Sequence, residues 1–223
     1  MKITAFMPIK LNNERVPGKN LKCFSDGRTV ISFMLEKFVY LLERNIIDDA
    51  VVYCSREEIT QYLPREVRWL KRSAELDTNE TRSNDIISAF LKDCESDIYV
   101  MCHATSPFMG TDKIERCIEA VKNGEYDSAF SARKIQNFLW QNGKPMNFSV
   151  SSYPRTQDLL PIFEELPTPY VFTRKVFEST GGRTGLNPYI CECEYIEGID
   201  IDTPEDFELA YNVHSAGLDK KAT

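Results

Sequence analysis

The feature that most constrains this chain is a rhythm. From residue 3 to residue 131, short apolar runs that read as strands alternate with longer segments of helical period. Ile3-Thr4-Ala5-Phe6-Met7 reads as a buried strand, and residues 29–43 then carry Ile31, Met34, Leu35, Phe38, Leu41 and Leu42 at helical spacing. Residues 50–54 form a second strand, and Ser55-Arg56-Glu57-Glu58 after it matches a helix capping box. Strands at 67–70, 97–102 and 128–131 alternate with a helix at 84–94 and another beginning at Thr111. The first of these helices has Ile86, Ile87, Phe90 and Leu91 on its apolar face; the second has Ile114, Cys117, Ile118 and Val121. Strands and helices in this order call for crossover connections and a mostly parallel sheet covered on both faces.

The rhythm breaks near Arg133. Residues 133–169 hold Trp140, Pro145, Pro154, Pro161 and Pro167 and little periodicity, which is long for a plain loop and reads as a functional insertion. Strand patterns return at 170–172, 189–196 and 199–202, and a last helix is expected over 204–216. The expectation is therefore one α/β domain over 1–216 with an insert at about 133–169, and a tail at 217–223 in which Asp219-Lys220-Lys221 looks disordered.

Two segments carry chemistry. The first strand runs into a loop in which Lys10, Arg15, Lys19 and Lys22 fall within thirteen residues, although the net charge is -7. Pro17-Gly18 marks a turn where backbone can approach a ligand closely. A cation-rich loop at the carboxyl end of a strand is how α/β proteins commonly hold a polyphosphate; alone, it reads equally as a solvated basic loop. The second segment is Ile199-Asp200-Ile201-Asp202-Thr203-Pro204-Glu205-Asp206. Alternation along a strand puts Asp200 and Asp202 on one face, and Thr203, Pro204 and Asp206 suit the start of a helix. Two carboxylates there can hold Mg²⁺, or merely help to begin the helix. Polar clusters at 71–85 and 102–108 also follow predicted strands, the latter containing His103.

Composition excludes several classes. The acidic balance argues against a broad nucleic-acid-binding face. Seven scattered cysteines without a Cys-x-x-Cys pair point to reduced thiols and a cytoplasmic setting, and Cys191 and Cys193 read as packing residues on one strand face. With two histidines, a histidine-rich metal site cannot be built. No leader-like opening and no run of about 20 apolar residues is present, so no membrane association is expected.

In register, five motifs resemble the acylneuraminate cytidylyltransferases (CMP-sialic acid synthetases). They are Val16-Pro17-Gly18-Lys19-Asn20, Arg72-Ser73-Ala74-Glu75-Leu76, Ala104-Thr105-Ser106-Pro107, Arg155-Thr156-Gln157-Asp158-Leu159 and Ile199-Asp200-Ile201-Asp202-Thr203. The resemblance spans residue 3 to about residue 210. It implies a three-layer αβα, Rossmann-like nucleotidyltransferase fold with a mostly parallel mixed sheet and an inserted dimerisation arm. It also implies transfer of CMP from CTP to a 2-keto-3-deoxy sugar acid, as in cell-surface polysaccharide synthesis, by a homodimer. By the same resemblance, Lys19, Lys10 and Arg15 serve the triphosphate, and Leu11, Asn12, Asn20, Arg72 and Ser83 the nucleotide. His103, Thr105, Ser106, Arg155 and Gln157 line the sugar side, and Asp200 and Asp202 hold Mg²⁺.

Departures from the family cluster near the sugar. Lys10 stands where arginine is usual, His103 where glutamine is usual and Met109 where arginine is usual. These changes favour a modified acid of legionaminic or pseudaminic type as readily as the sialic acid itself. Two other readings stay open: an enzyme for an eight-carbon keto-sugar acid or a sugar phosphate, and a homologue that binds nucleotide without turnover.

Overall fold

In the computed structural model, residues 1–12 and 16–219 are described. The strands are β1 (Ile3–Ile9), β2 (Asp49–Cys54), β3 (Arg68–Lys71), β4 (Ile98–Met101), β5 (Ser128–Ile135), β6 (Trp140–Gln141), β7 (Lys144–Pro145), β8 (Ile162–Phe172) and β9 (Pro188–Cys193). The helices are α1 (Val30–Glu43), α2 (Ser83–Asp93), α3 (Thr111–Lys122), α4 (Arg174–Thr180) and α5 (Pro204–Ser215). Seven strands form one sheet in the order β3-β2-β1-β4-β8-β5-β9. Every neighbouring pair is parallel except the two made by β8, which runs antiparallel to both β4 and β5. This is the three-layer, mostly parallel mixed sheet that the alternating pattern implies.

Alternation along each central strand feeds two cores. Ala5, Met7 and Ile9 of β1, Val52 of β2 and Val100 of β4 pack on one face with Met34 and Phe38 of α1 and Ile114 and Ile118 of α3. Phe6, Val51, Tyr53, Tyr99 and Met101 face the other side, against Ile87 and Phe90 of α2 and Val176 of α4. Phe6 and Phe90 stack with ring centroids 3.9 Å apart. A third, smaller cluster joins Phe24, Phe33 and Phe108 to Ile199, Ile201, Phe207 and Ala210, seating α5. Cys191 and Cys193 belong to the first core, as packing residues should.

Four local expectations change. Ser55 caps no helix: residues 57–62 form a 3₁₀ turn whose N-cap, Arg56, makes no side-chain bond, and the Ser55 hydroxyl donates instead to Asp77 at 2.5 Å. Residues 199–202 join no sheet; Ile201 N–H instead donates to the Thr105 carbonyl at 2.9 Å. Much of the aperiodic stretch is regular, because β5 extends to Ile135 and β8 begins at Ile162, while a hairpin of β6 and β7 turns at Asn142-Gly143, both at positive φ. Asp219 is buried and bonded to His214 Nδ1 at 2.7 Å, so the chain is fastened down that far; residues 220–223 lie outside the described residues.

Candidate active site

The strand order places a switch point between β1 and β4. From β1 the chain winds outward through β2 to β3, then returns to build on the other side of β1 with β4. In open α/β sheets the crevice outside the carboxyl ends at such a point is the usual ligand site, because two loops diverge there. A cavity of about 300 Å³ lies there, lined by Pro8, Ile9, Lys10, Lys19 and Asn20 after β1, His103, Ala104 and Thr105 after β4, and Pro167, Asp200 and Asp202. Seven of the residues singled out in the sequence therefore meet: Lys10, Lys19, Asn20, His103, Thr105, Asp200 and Asp202.

Lys19 lies at the start of a 3₁₀ turn that follows Gly18, whose φ of 65° suits glycine. Its Nζ donates to Asp202 Oδ1 and to the Ile201 carbonyl, both at 3.0 Å, linking loops about 180 residues apart. Asn20 is buried, and its amide holds the Lys10 carbonyl at 3.0 Å, so it shapes the loop as well as lining the cavity. The Lys10 ammonium donates to Asn79 Oδ1 at 3.0 Å, which draws the segment before α2 against the loop. Asp202 is held from behind by α5: the Asp206 carboxylate accepts from the Asp202 and Thr203 N–H groups, and Thr203 Oγ1 accepts from Asp206 N–H. The capping box at Thr203 and Asp206 is thus present, with Pro204 in the first turn.

Asp200 is the carboxylate whose surroundings bear on whether a cation fits here. Its Oδ1 is buried without a hydrogen-bond partner. Burial pushes its carboxyl above the ordinary range; the Thr105 hydroxyl opposes that rise, the Asp202 charge adds to it and Lys19 opposes it. An orphaned buried acceptor beside a half-exposed second carboxylate fits a hard divalent cation that draws its other oxygens from phosphate and water. Among the described residues no cluster of three or more His, Cys, Asp or Glu forms a denser metal site.

His103 is held at two points by β8. Its N–H donates to Thr168 Oγ1 at 2.8 Å, and its ring Nδ1 lies 2.6 Å from the Pro167 carbonyl oxygen. Burial lowers its pKa to about 4, against the hydrogen bond to Pro167. A second cavity of about 330 Å³ adjoins the first through Pro167 and Asp200 and is lined by Arg133, Glu164, Glu165, Tyr195 and Asp206 among others. Arg133 pairs there with Glu164 and lies over the Tyr195 ring.

The other candidates lie elsewhere. Arg72 is buried and paired to Asp77 at 2.5 Å, and its N–H holds the Cys54 carbonyl. Ser83 accepts from Arg183, which also stacks over Tyr170 and pairs with Glu165. Ser106 is buried with its hydroxyl unpartnered, Leu11 packs against the main core and Asn12 is exposed. Arg155 is exposed and paired with Asp158 in its own turn, and Gln157 is exposed, with its carbonyl accepting from Gln136. Arg15 lies outside the described residues. Met109 is fully buried with its sulfur 3.9 Å from Cys193, so it does not border this cavity. The sequence reading overlooked Pro167, whose carbonyl orients His103, and Asn79; the doublet Pro167-Thr168 beside Pro169 was the available signal for the first.

A family model described as cytidylyltransferase matches residues 5–215. The chain belongs to the cytidylyltransferase family. It is 26% identical over 218 residues to N-acylneuraminate cytidylyltransferase A of Danio rerio, covering 93% of this chain and 50% of that protein. It is 21% identical over 220 residues to the N-acylneuraminate cytidylyltransferase of Streptococcus agalactiae serotype V, covering 93% and 52%. The chain thus spans about half the length of these curated relatives. A solved CMP:2-keto-3-deoxy-manno-octonic acid synthetase complexed with CTP superposes with a TM-score of 0.71 at 15% identity, over 97% of this chain and 100% of that one, which establishes the shared fold.

Proposed function

We propose that the protein transfers CMP from CTP to a 2-keto-3-deoxy sugar acid of sialic, legionaminic or pseudaminic type and releases pyrophosphate. The observation that carries this is the meeting, at the β1/β4 switch point, of Lys19 with Asp202 beside the unsatisfied Asp200. Family membership and the names of the relatives support CTP and a keto-sugar acid as the substrates.

In this reading the anomeric hydroxyl oxygen bonds to the α-phosphorus as the bond to the β-phosphate oxygen breaks. Pyrophosphate leaves, and the hydroxyl proton passes to water. Lys19 and Lys10 bind the triphosphate and neutralise charge on the leaving group, and positioning and charge compensation do most of the work. Asp200 and Asp202 would hold Mg²⁺, which supplies further charge neutralisation on the phosphates. The sugar spans the two adjoining cavities: His103 and Thr105 border it in the first, and the second, with Arg133 and Glu164, receives its body. Arg155 and Gln157 keep the sugar-side role that the resemblance gives them only if the arm of a second copy brings them to the cavity. Trp140, Met146, Val150 and Tyr153 are exposed apolar side chains on that arm, and Phe138, Phe148 and Tyr153 pack edge-on and tilted against one another, which supports a homodimer joined there. Among the described residues no helix is long and apolar enough to cross a membrane; a cytoplasmic setting rests on the unpaired cysteines.

A thermal-shift series with CTP, UTP, GTP and ATP in Mg²⁺ tests the nucleotide. CTP should raise the Tm well above the others, since binding at a hundred times Kd adds about 2.7 kcal/mol. Equal shifts from all four would remove the case for CTP. Asp202→Asn should cost at least about a hundredfold in turnover, the scale of losing one metal-supporting carboxylate, with the Tm kept within a few degrees. Unchanged turnover would refute its role.

A further inference from the structure

The role of His103 follows from its hydrogen bonds and rests on the activity proposed above. The Pro167 carbonyl can only accept, so the 2.6 Å contact requires the hydrogen to sit on Nδ1. In a neutral ring the lone pair is then on Nε2. Burial disfavours the charged ring, and the nearby Lys19 and Arg183 cations press the same way against the opposing influence of Pro167 and Asp202. Any cation held by Asp200 and Asp202 adds to that pressure. Among the described residues Nε2 has no hydrogen-bond partner, and the ring lines the cavity beside Lys19, Thr105 and Asp200. The His103 backbone N–H is fixed to Thr168 Oγ1 as well, so main chain and ring are each tied to β8.

We propose that His103 is a specificity-determining residue on the sugar side, accepting through Nε2 a hydrogen bond from a hydroxyl or N–H that the substrate carries at that point. With Nδ1–H committed to the Pro167 carbonyl, the neutral ring offers the cavity only the acceptor Nε2. The substrate is thereby sorted by the polarity of one group. A sugar acid with a hydroxyl or acylamino donor there is taken, and its deoxy or O-methyl analogue is refused. A phosphate or carboxylate oxygen at that point would face another lone pair and leave both unsatisfied, so a phosphorylated sugar is disfavoured.

Two measurements test this. The chain has two histidines, so ¹⁵N-histidine NMR with His103→Gln as the assignment control isolates the ring. At pH 7 His103 should be neutral with Nδ1 protonated, and its Nε2 signal should move when CTP and a turned-over sugar acid are added together. A protonated Nε2 overturns the proposal whatever the substrate. The second measurement compares kcat/KM for matched sugar acids, each with and without one hydroxyl or acylamino group. One pair should differ by about tenfold or more, roughly the worth of one net hydrogen bond. In His103→Phe that ratio should fall to within about twofold while the Tm shift given by CTP persists. Survival of the ratio in His103→Phe overturns the role of His103 and leaves the activity standing. No turnover of any acid overturns the activity, and the His103 role with it.

Discussion

Asp77 shows what a single buried charge demands. It accepts from Arg72, which is 2% exposed, and from Ser55. Asp77→Ala should lower stability by about 3–5 kcal/mol, the usual cost of leaving a buried cation uncompensated, as a drop in the denaturant midpoint with little change in slope. A loss under 1 kcal/mol would mean that water reaches Arg72. His103 makes a pH-dependent claim. Its pKa falls from 6.5 to about 4 on folding, so the unfolded chain binds the extra proton first as pH drops. Burial of this ring should cost no stability above pH 7; stability should fall as pH drops through 6.5 and level off below 4, a loss of about 3 kcal/mol. His103→Gln should flatten the stability profile across that window, as urea melts from pH 4 to 7 would show; parallel profiles would contradict the assignment. That Lys19, Asp200 and Asp202 meet could be expected only from reading the motifs together in register, since each segment alone also reads as a solvated loop or a helix start. The pairings of Arg72 and Arg155 were not legible, since a cation's place in a sequence does not name its partner. Asp77 and Asp158 lie five and three residues away and already hold them.

At the scale of elements, α5 stands directly behind Asp202. Its capping box holds the N–H groups of Asp202 and Thr203 as well as closing the helix. Asp206→Ala should therefore cost about 1 kcal/mol of stability, as lost caps do. It should also raise the Mg²⁺ concentration for half-maximal activity by about tenfold or more, as loss of outer-shell support does. A stability loss with unchanged Mg²⁺ dependence would limit Asp206 to capping. The early strands and helices followed from their periodicity because each buries a face of fixed spacing. Two elements did not. Ile199–Asp202 keeps the alternation of a strand, with Ile199 and Ile201 buried, but packs on helices and takes no ladder partner. Conversely, β8 hides behind Pro167 and Pro169, which speak against a central strand. They fit because its pairing with β5 jumps from Tyr170 to Glu165, so the prolines fall where the ladder is interrupted.

The whole molecule supplies what no segment does alone: the neighbourhood of β1 and β4. A helix pattern announces that strands will lie side by side, but not that β8 turns back between β4 and β5, nor that the second half of the sheet carries residues 199–206 to the mouth of the first. That closure brings Lys19 to Asp202 and leaves Asp200 with an unsatisfied oxygen, the constellation on which the proposed reaction rests. The most direct test is pyrophosphate release from CTP and Mg²⁺ across a panel of nine-carbon keto-sugar acids, with an eight-carbon acid and a sugar phosphate alongside. Release should require CTP, Mg²⁺ and a nine-carbon acid together, and should vanish in Asp202→Asn. Release with the sugar phosphate in preference, or none with any acid while CTP still raises the Tm, would contradict the account.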